Sequence, residues 1–183
     1  MLLFQYLDAL PPIPIELLRD PVIPEIAITF RANIDANYTR WGIRDDLKDW
    51  LRTNITTNVS LAGLQTMTWP EGQHDKKDVL PHCDRRNWAI NFVIEPGGPA
   101  VSTSFYLEPN RPIFREAGCR IDDFSKLTQV WSDVIKPGCW HIINTRVLHG
   151  VENIQTQRRA VTIGLNSANP FAEINGYQGL ISI

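Results

Sequence analysis

Leu80-Pro81-His82-Cys83-Asp84-Arg85-Arg86-Asn87-Trp88-Ala89-Ile90-Asn91 is the stretch on which the reading of this chain turns. In an extended chain, residues i and i+2 point to the same side, about 6–7 Å apart, so His82 and Asp84 can converge on one metal ion while Cys83 turns away. The apolar run that follows, Trp88 to Ile94, has strand character and ends in the turn cluster Glu95-Pro96-Gly97-Gly98-Pro99. Working outward, the same pattern recurs at Val59 to Trp69, Ser102 to Leu107, Leu127 to Ile135, Trp140 to Asn144 and Arg158 to Leu165, with Lys136-Pro137-Gly138 as another turn. Many short strands between Gly/Pro turns predict an all-β core, a sandwich or jelly roll, with one or two helices packed outside.

The helix expected is Ile43 to Asn54, where Ile43, Leu47, Trp50 and Leu51 fall at helical spacing among charged residues and would lie on a sheet. Upstream, prolines at 11, 12, 14, 21 and 24 forbid a long helix and predict a wrapping arm with short strands. The chain of 183 residues is therefore divided as one domain: 1–58 arm and helix, 59–166 β core, 167–183 C-terminal extension.

Composition narrows the function. With 43% hydrophobic and 21% charged residues, a net charge of -2 and no run of about five or six like charges, nothing points to a nucleic-acid or membrane surface, and a small-molecule or peptide substrate fits better. Three cysteines, Cys83, Cys119 and Cys139, form no C-x-x-C pair and suit neither a disulfide framework nor structural zinc. The apolar start, Met1 to Leu7, has neither a basic leader nor a clear cleavage site, and a cytoplasmic location is expected. Subunit number is not readable.

A third ligand is needed beside His82 and Asp84, and His149, 65 positions after Asp84 in Asn144-Thr145-Arg146-Val147-Leu148-His149-Gly150-Val151, can supply it. Two imidazoles and one carboxylate on one face of a six-coordinate ion leave three positions open, an arrangement that suits Fe(II) oxygenases. Arg158 and Arg159 follow nine and ten residues on, at the start of a strand, where a guanidinium could hold a dicarboxylate. By alternation Arg158 shares its side with Ala160, Thr162 and Gly164, and Arg159 shares its side with Val161, Ile163 and Leu165. Small and polar neighbours favour Arg158, although both stay open.

This order of motifs resembles the 2-oxoglutarate/Fe(II)-dependent oxygenase superfamily over about residues 59–166. The phrases Pro-His-x-Asp, Ala-Ile-Asn and Asn-Thr-x-x-x-His-Gly-Val are most similar to its small prolyl and aspartyl hydroxylase-like members. The resemblance implies a double-stranded β-helix, Fe(II) bound by His82, Asp84 and His149, and 2-oxoglutarate held at its C5 carboxylate by Arg158 or Arg159. It also implies hydroxylation of an amino acid, a peptidyl residue or another small metabolite, releasing succinate and CO2, with ascorbate a candidate supporting reductant. The serine that the family often carries two places after this arginine is absent, since Ala160 or Val161 stands there, and Thr162 could replace it.

Around the motif the alternatives stay open. Asn91 either points into the barrel toward the cosubstrate or sits at an edge. Trp88 and Trp69 either wall a pocket or fill the core, with core the safer reading. His141 is expected to be a satisfied structural histidine, and His74 to lie in a charged solvated or lid segment. Arg85 and Arg86 either grip an acidic substrate near the metal or end a strand at solvent. A cupin-type metalloenzyme and a non-catalytic β-sandwich binding or sensor module are the competing functional classes. The first expects more histidines, and the second leaves the arginine pair without a purpose.

Overall fold

The computed structural model describes residues 1–31, 37–68, 79–115, 121 and 123–177. Trp69, His74 and Cys119, singled out in the sequence, lie outside them, as do residues 178–183 of the C-terminal extension. Eleven strands run in chain order: β1 Phe4–Tyr6, β2 Val22–Arg31, β3 Asn37–Ile43, β4 Ala62–Thr68, β5 Val79–His82, β6 Trp88–Glu95, β7 Ser102–Leu107, β8 Thr128–Val134, β9 Trp140–Asn144, β10 Leu148–Glu152 and β11 Arg158–Leu165. They form two antiparallel sheets, a large one in the order β1-β9-β6-β11-β4-β3-β2 and a small one in the order β5-β10-β7-β8. Ala89 and Ile143 of the large sheet meet Phe105 of the small one, so the two sheets pack face to face.

Alternation along each strand of the large sheet separates two surfaces. Leu64, Ile90, Phe92, Trp140, Ile142, Val161 and Ile163 face outward and join the main apolar core. Helix α1, Asp45–Asn54, closes that core from outside with Leu47 and Leu51, both fully buried. Each such leucine stabilises the packing by about 1.5–3 kcal/mol. Asp45 and Asp46 sit in its first turn, where the helix dipole favours negative charge. Among the described residues α1 is the one α-helix. The described part of the C-terminal extension adds a short 3-10 turn, Pro170–Glu173, whose Pro170 and Phe171 are buried.

The arm differs from the expectation of short strands. β2 is ten residues long and pairs with β3, so Val22–Arg31 and Asn37–Ile43 extend the same large sheet as the core strands. Pro24 is tolerated because β2 is the sheet's edge, and the β2–β3 register shifts between Ile23 and Ala27 beside it. Two strands absent from the sequence reading, β5 and β10, pair with each other and carry two of the expected ligands.

Candidate metal centre

β5 and β10 lie antiparallel with His82 directly opposite His149, so one residue pair of the small sheet presents two imidazoles to the space between the sheets. Their ring centroids are 4.6 Å apart. β5 ends at His82, and Asp84 stands in the turn that follows, where its backbone N–H donates to the Thr145 carbonyl at 2.9 Å. That bond ties the H-x-D turn to the turn before His149. One ligand atom from each of His82, Asp84 and His149 lies within 4.8 Å of the others. Metal–nitrogen bonds of about 2 Å require this group to draw together around the ion.

Both rings are oriented the same way. His82 Nδ1 lies 2.8 Å from the Leu80 carbonyl and His149 Nδ1 lies 2.9 Å from the Val147 carbonyl. A carbonyl can only accept, so each Nδ1 carries a proton and each Nε2 is the nitrogen turned toward the place an ion would take. Asp84 divides its oxygens: Oδ1 is 3.4 Å from His82 Nε2, and Oδ2 accepts from Arg86 Nε at 2.9 Å. Oδ1 is thus the oxygen left to face an ion, and Arg86 holds the carboxylate in place. Gly150, beside His149, lets β10 approach β5 closely, since a Cβ there would stand 2.6 Å from the Val79 carbonyl oxygen.

The electrostatics suit a cation. Burial would raise the Asp84 pKa, yet Arg86 and the two histidines outweigh it and hold the carboxyl well below its usual range. Burial, reinforced by His82, lowers the His149 pKa to about 4 and keeps that ring neutral at pH 7. Burial also works against the His82 imidazolium, but the hydrogen bond and charge of Asp84 prevail and raise its pKa. His82 and Asp84 are partly exposed while His149 is buried, so the cluster has one open side.

The inner face of the large sheet lies opposite. Registers align Tyr6, His141, Asn91, Thr162 and Gly63 in one row across five strands. Asn91 is therefore an inner residue and not an edge one. Arg158 is buried on the same face of β11 as Ala160 and Thr162, and one arm of its guanidinium donates to the Pro96 carbonyl at 3.2 Å. No carboxylate among the described residues pairs with Arg158. Arg159 faces the other way and pairs with Glu95 at 2.8 Å. His141 corrects the expectation of a satisfied histidine: it is buried and stacked on Phe4, and its Nδ1 has no hydrogen-bond partner. Burial, then the charge of Arg158, lowers its pKa to about 3.

Arg85 is exposed and Arg86 is turned inward, donating also to Thr162 Oγ1 at 3.2 Å. Cys83 packs away from the ligands against Ile121 and Leu148. Trp88 is half-buried against the main core and also borders a cavity of about 610 Å3 with Leu2, Asn87, Arg146 and Phe171. None of the three ligands or Arg158 lines that cavity. Tyr38 and Arg40, on β3, were missed because their segment reads as an arm. The signal was there in the alternation of Thr39, Trp41 and Ile43 with Tyr38, Arg40 and Gly42, which sets a polar face against an apolar one.

Fold and site together define a two-sheet antiparallel β protein with one outer helix and a candidate two-histidine, one-carboxylate metal centre. Among known proteins, the sequence matches no family model and no curated relative.

Proposed function

We infer that the protein is a non-haem Fe(II) and 2-oxoglutarate-dependent dioxygenase that hydroxylates a small molecule or a peptidyl residue. One observation carries this: Arg158, a buried cation with no carboxylate partner among the described residues, faces the same inter-sheet space as the triad. A buried guanidinium without a counter-ion is costly in an isolated fold and becomes favourable when an anion enters.

Strand order supports the jelly-roll, or double-stranded β-helix, reading. From β4 to β11 the chain passes to the other sheet at every step except the β7–β8 hairpin, and each sheet takes four of these eight strands. His82, Asp84 and His149 would hold the iron, and the donor set fits an ion that keeps three positions for a bidentate oxo-acid and dioxygen. Arg158 would take the distal carboxylate, with Thr162, Asn91 and the unpaired Nδ1 of His141 near it on the same face. When bound, the iron supplies the redox chemistry. The balance is that substrate, 2-oxoglutarate and dioxygen give hydroxylated substrate, succinate and CO2.

The chain's own part is to fix the ligand tautomers through Leu80 and Val147, to hold Asp84 through Arg86, and to neutralise the cosubstrate with Arg158. Anaerobic addition of Fe(II) and then 2-oxoglutarate should give the weak visible charge-transfer band of the chelate. Admission of air with ascorbate should then give succinate, read by mass spectrometry. Loss of both signals in His149→Ala is expected. A folded protein that binds neither metal nor 2-oxoglutarate refutes the assignment, and one that binds both without turnover is a sensor.

A further inference from the structure

Beside the triad, the inner face of the large sheet carries more positive charge than metal and cosubstrate require. Arg40 of β3 lies over Gly63, where an added Cβ would come within 2.9 Å of Arg40 Nε, and its far end donates to the Leu61 carbonyl. Arg86 lies over Gly164 in the same manner, with its Cδ 2.9 Å from the position of a Cβ. Two glycines on neighbouring strands thus seat two arginines flat against one sheet. The guanidiniums feel each other: burial, and then Arg86, lowers the Arg40 pKa.

Asp84 is the carboxylate that acts on both, and a divalent ion would claim its Oδ1. Tyr38 lies on the same face of β3 as Arg40. Burial raises its phenol to about 12, so it adds no negative charge beside Arg40. Among the described residues no other carboxylate pairs with Arg40 or Arg86. With ion and cosubstrate bound, Arg158 answers the distal carboxylate, and Arg40 remains half-buried without a carboxylate of its own among the described residues.

We propose that the primary substrate is a carboxylic acid whose carboxylate is received by Arg40, with Arg86 beside it. This rests on the oxygenase reading for the place of metal and cosubstrate. A guanidinium recognises a carboxylate with two parallel N–H bonds, and Arg40 keeps donors free of Leu61 for that purpose. A monoanion fits better than a phosphate dianion because Asp84 stands beside Arg86.

The test uses the full chain loaded with Mn(II) and saturated with N-oxalylglycine, an inert analogue of the cosubstrate. Proton relaxation by Mn(II) then reports probe binding for three pairs: acetate and acetamide, benzoate and benzamide, N-acetylglycine and N-acetylglycinamide. The expected result is that carboxylates bind about tenfold more tightly than their amides, equivalent to about 1.4 kcal/mol. Arg40→Gln should erase the preference with Mn(II) and N-oxalylglycine affinities unchanged, and Arg40→Lys should retain part of it. The parent comparison and Arg40→Lys decide the matter if Arg40→Gln does not fold. Equal binding of acid and amide, no binding of any acid, or a preference that survives Arg40→Gln overturns the proposal and leaves the oxygenase reading standing. Failure of Mn(II) or N-oxalylglycine to bind removes both.

Discussion

Arg158→Met is expected to stabilise the empty protein while disabling it. Burial draws the Arg158 pKa from 12.5 down to about 10. At about 1.4 kcal/mol per pH unit, the charged form is held at a cost of about 3 kcal/mol. Methionine removes that cost but also the bond to the Pro96 carbonyl, which contributes about 2 kcal/mol. The balance is a gain of about 1 kcal/mol, or a rise in Tm of about 2–4 °C for a chain of this size. Affinity for 2-oxoglutarate should fall by about 2–5 kcal/mol, because a carboxylate would enter a buried place with no partner. Arg159→Met is the control: its pair with Glu95 is partly exposed, so about 0–1 kcal/mol of stability and no cosubstrate affinity should be lost. Thermal unfolding without metal and calorimetric titration of 2-oxoglutarate into Mn(II)-loaded protein measure the two quantities. A large destabilisation by Arg158→Met together with unchanged 2-oxoglutarate affinity refutes the reasoning, since the arginine would then be structural.

Arg86→Ala should weaken Mn(II) binding by about 10–100-fold in a direct titration, since Asp84 Oδ2 loses the donor that orients it. Gly150→Ala should cost about 1–3 kcal/mol in urea unfolding, because its Cβ would be forced against the Val79 carbonyl oxygen. His141 should impose an acid limb on the metal-free protein. Its folded pKa of about 3 lies below the unfolded value of 6.5, so the unfolded chain binds the extra proton and stability falls as pH drops from about 6.5 toward 3. His141→Gln should reduce the loss between pH 7 and pH 4.5 by about 2–3 kcal/mol, leaving a residual slope of the same sign from His149.

The core strands were legible because they are β-prone runs separated by polar or Gly/Pro-containing stretches, and β7, β9 and β11 match their expected bounds. β10 was not, because His149-Gly150 and the turn residue Asn153, with φ of 62°, interrupt the apolar pattern. Its strand character comes from pairing with β5 and β7, which is a tertiary fact. β2 was hidden by Pro24, which the sequence reads as a breaker and the sheet accepts at its edge. Alternation alone separated Arg158 from Arg159, because each strand position has only two sides. The unpaired Nδ1 of His141 could not be foreseen, since it depends on what the packed neighbours leave around it.

β5 is the outer strand of the small sheet, four residues long, and Pro81 within it has no N–H to give. Among the described residues its ladder pairing is with β10 alone, with Val79 packed against Val101 and Ile154, so in the empty protein this margin should open more readily than the strands behind it. His82 would leave with it, and His149 would stay, anchored to β7 on its other side. A bound ion would then act as a clasp, fastening residues 67 positions apart and closing the weakest seam between the strands. Amide exchange at Val79, Leu80 and His82 should therefore slow on metal binding, while exchange at Leu148 to Val151 changes little. The ion that serves chemistry would also decide how often the door beside it swings open.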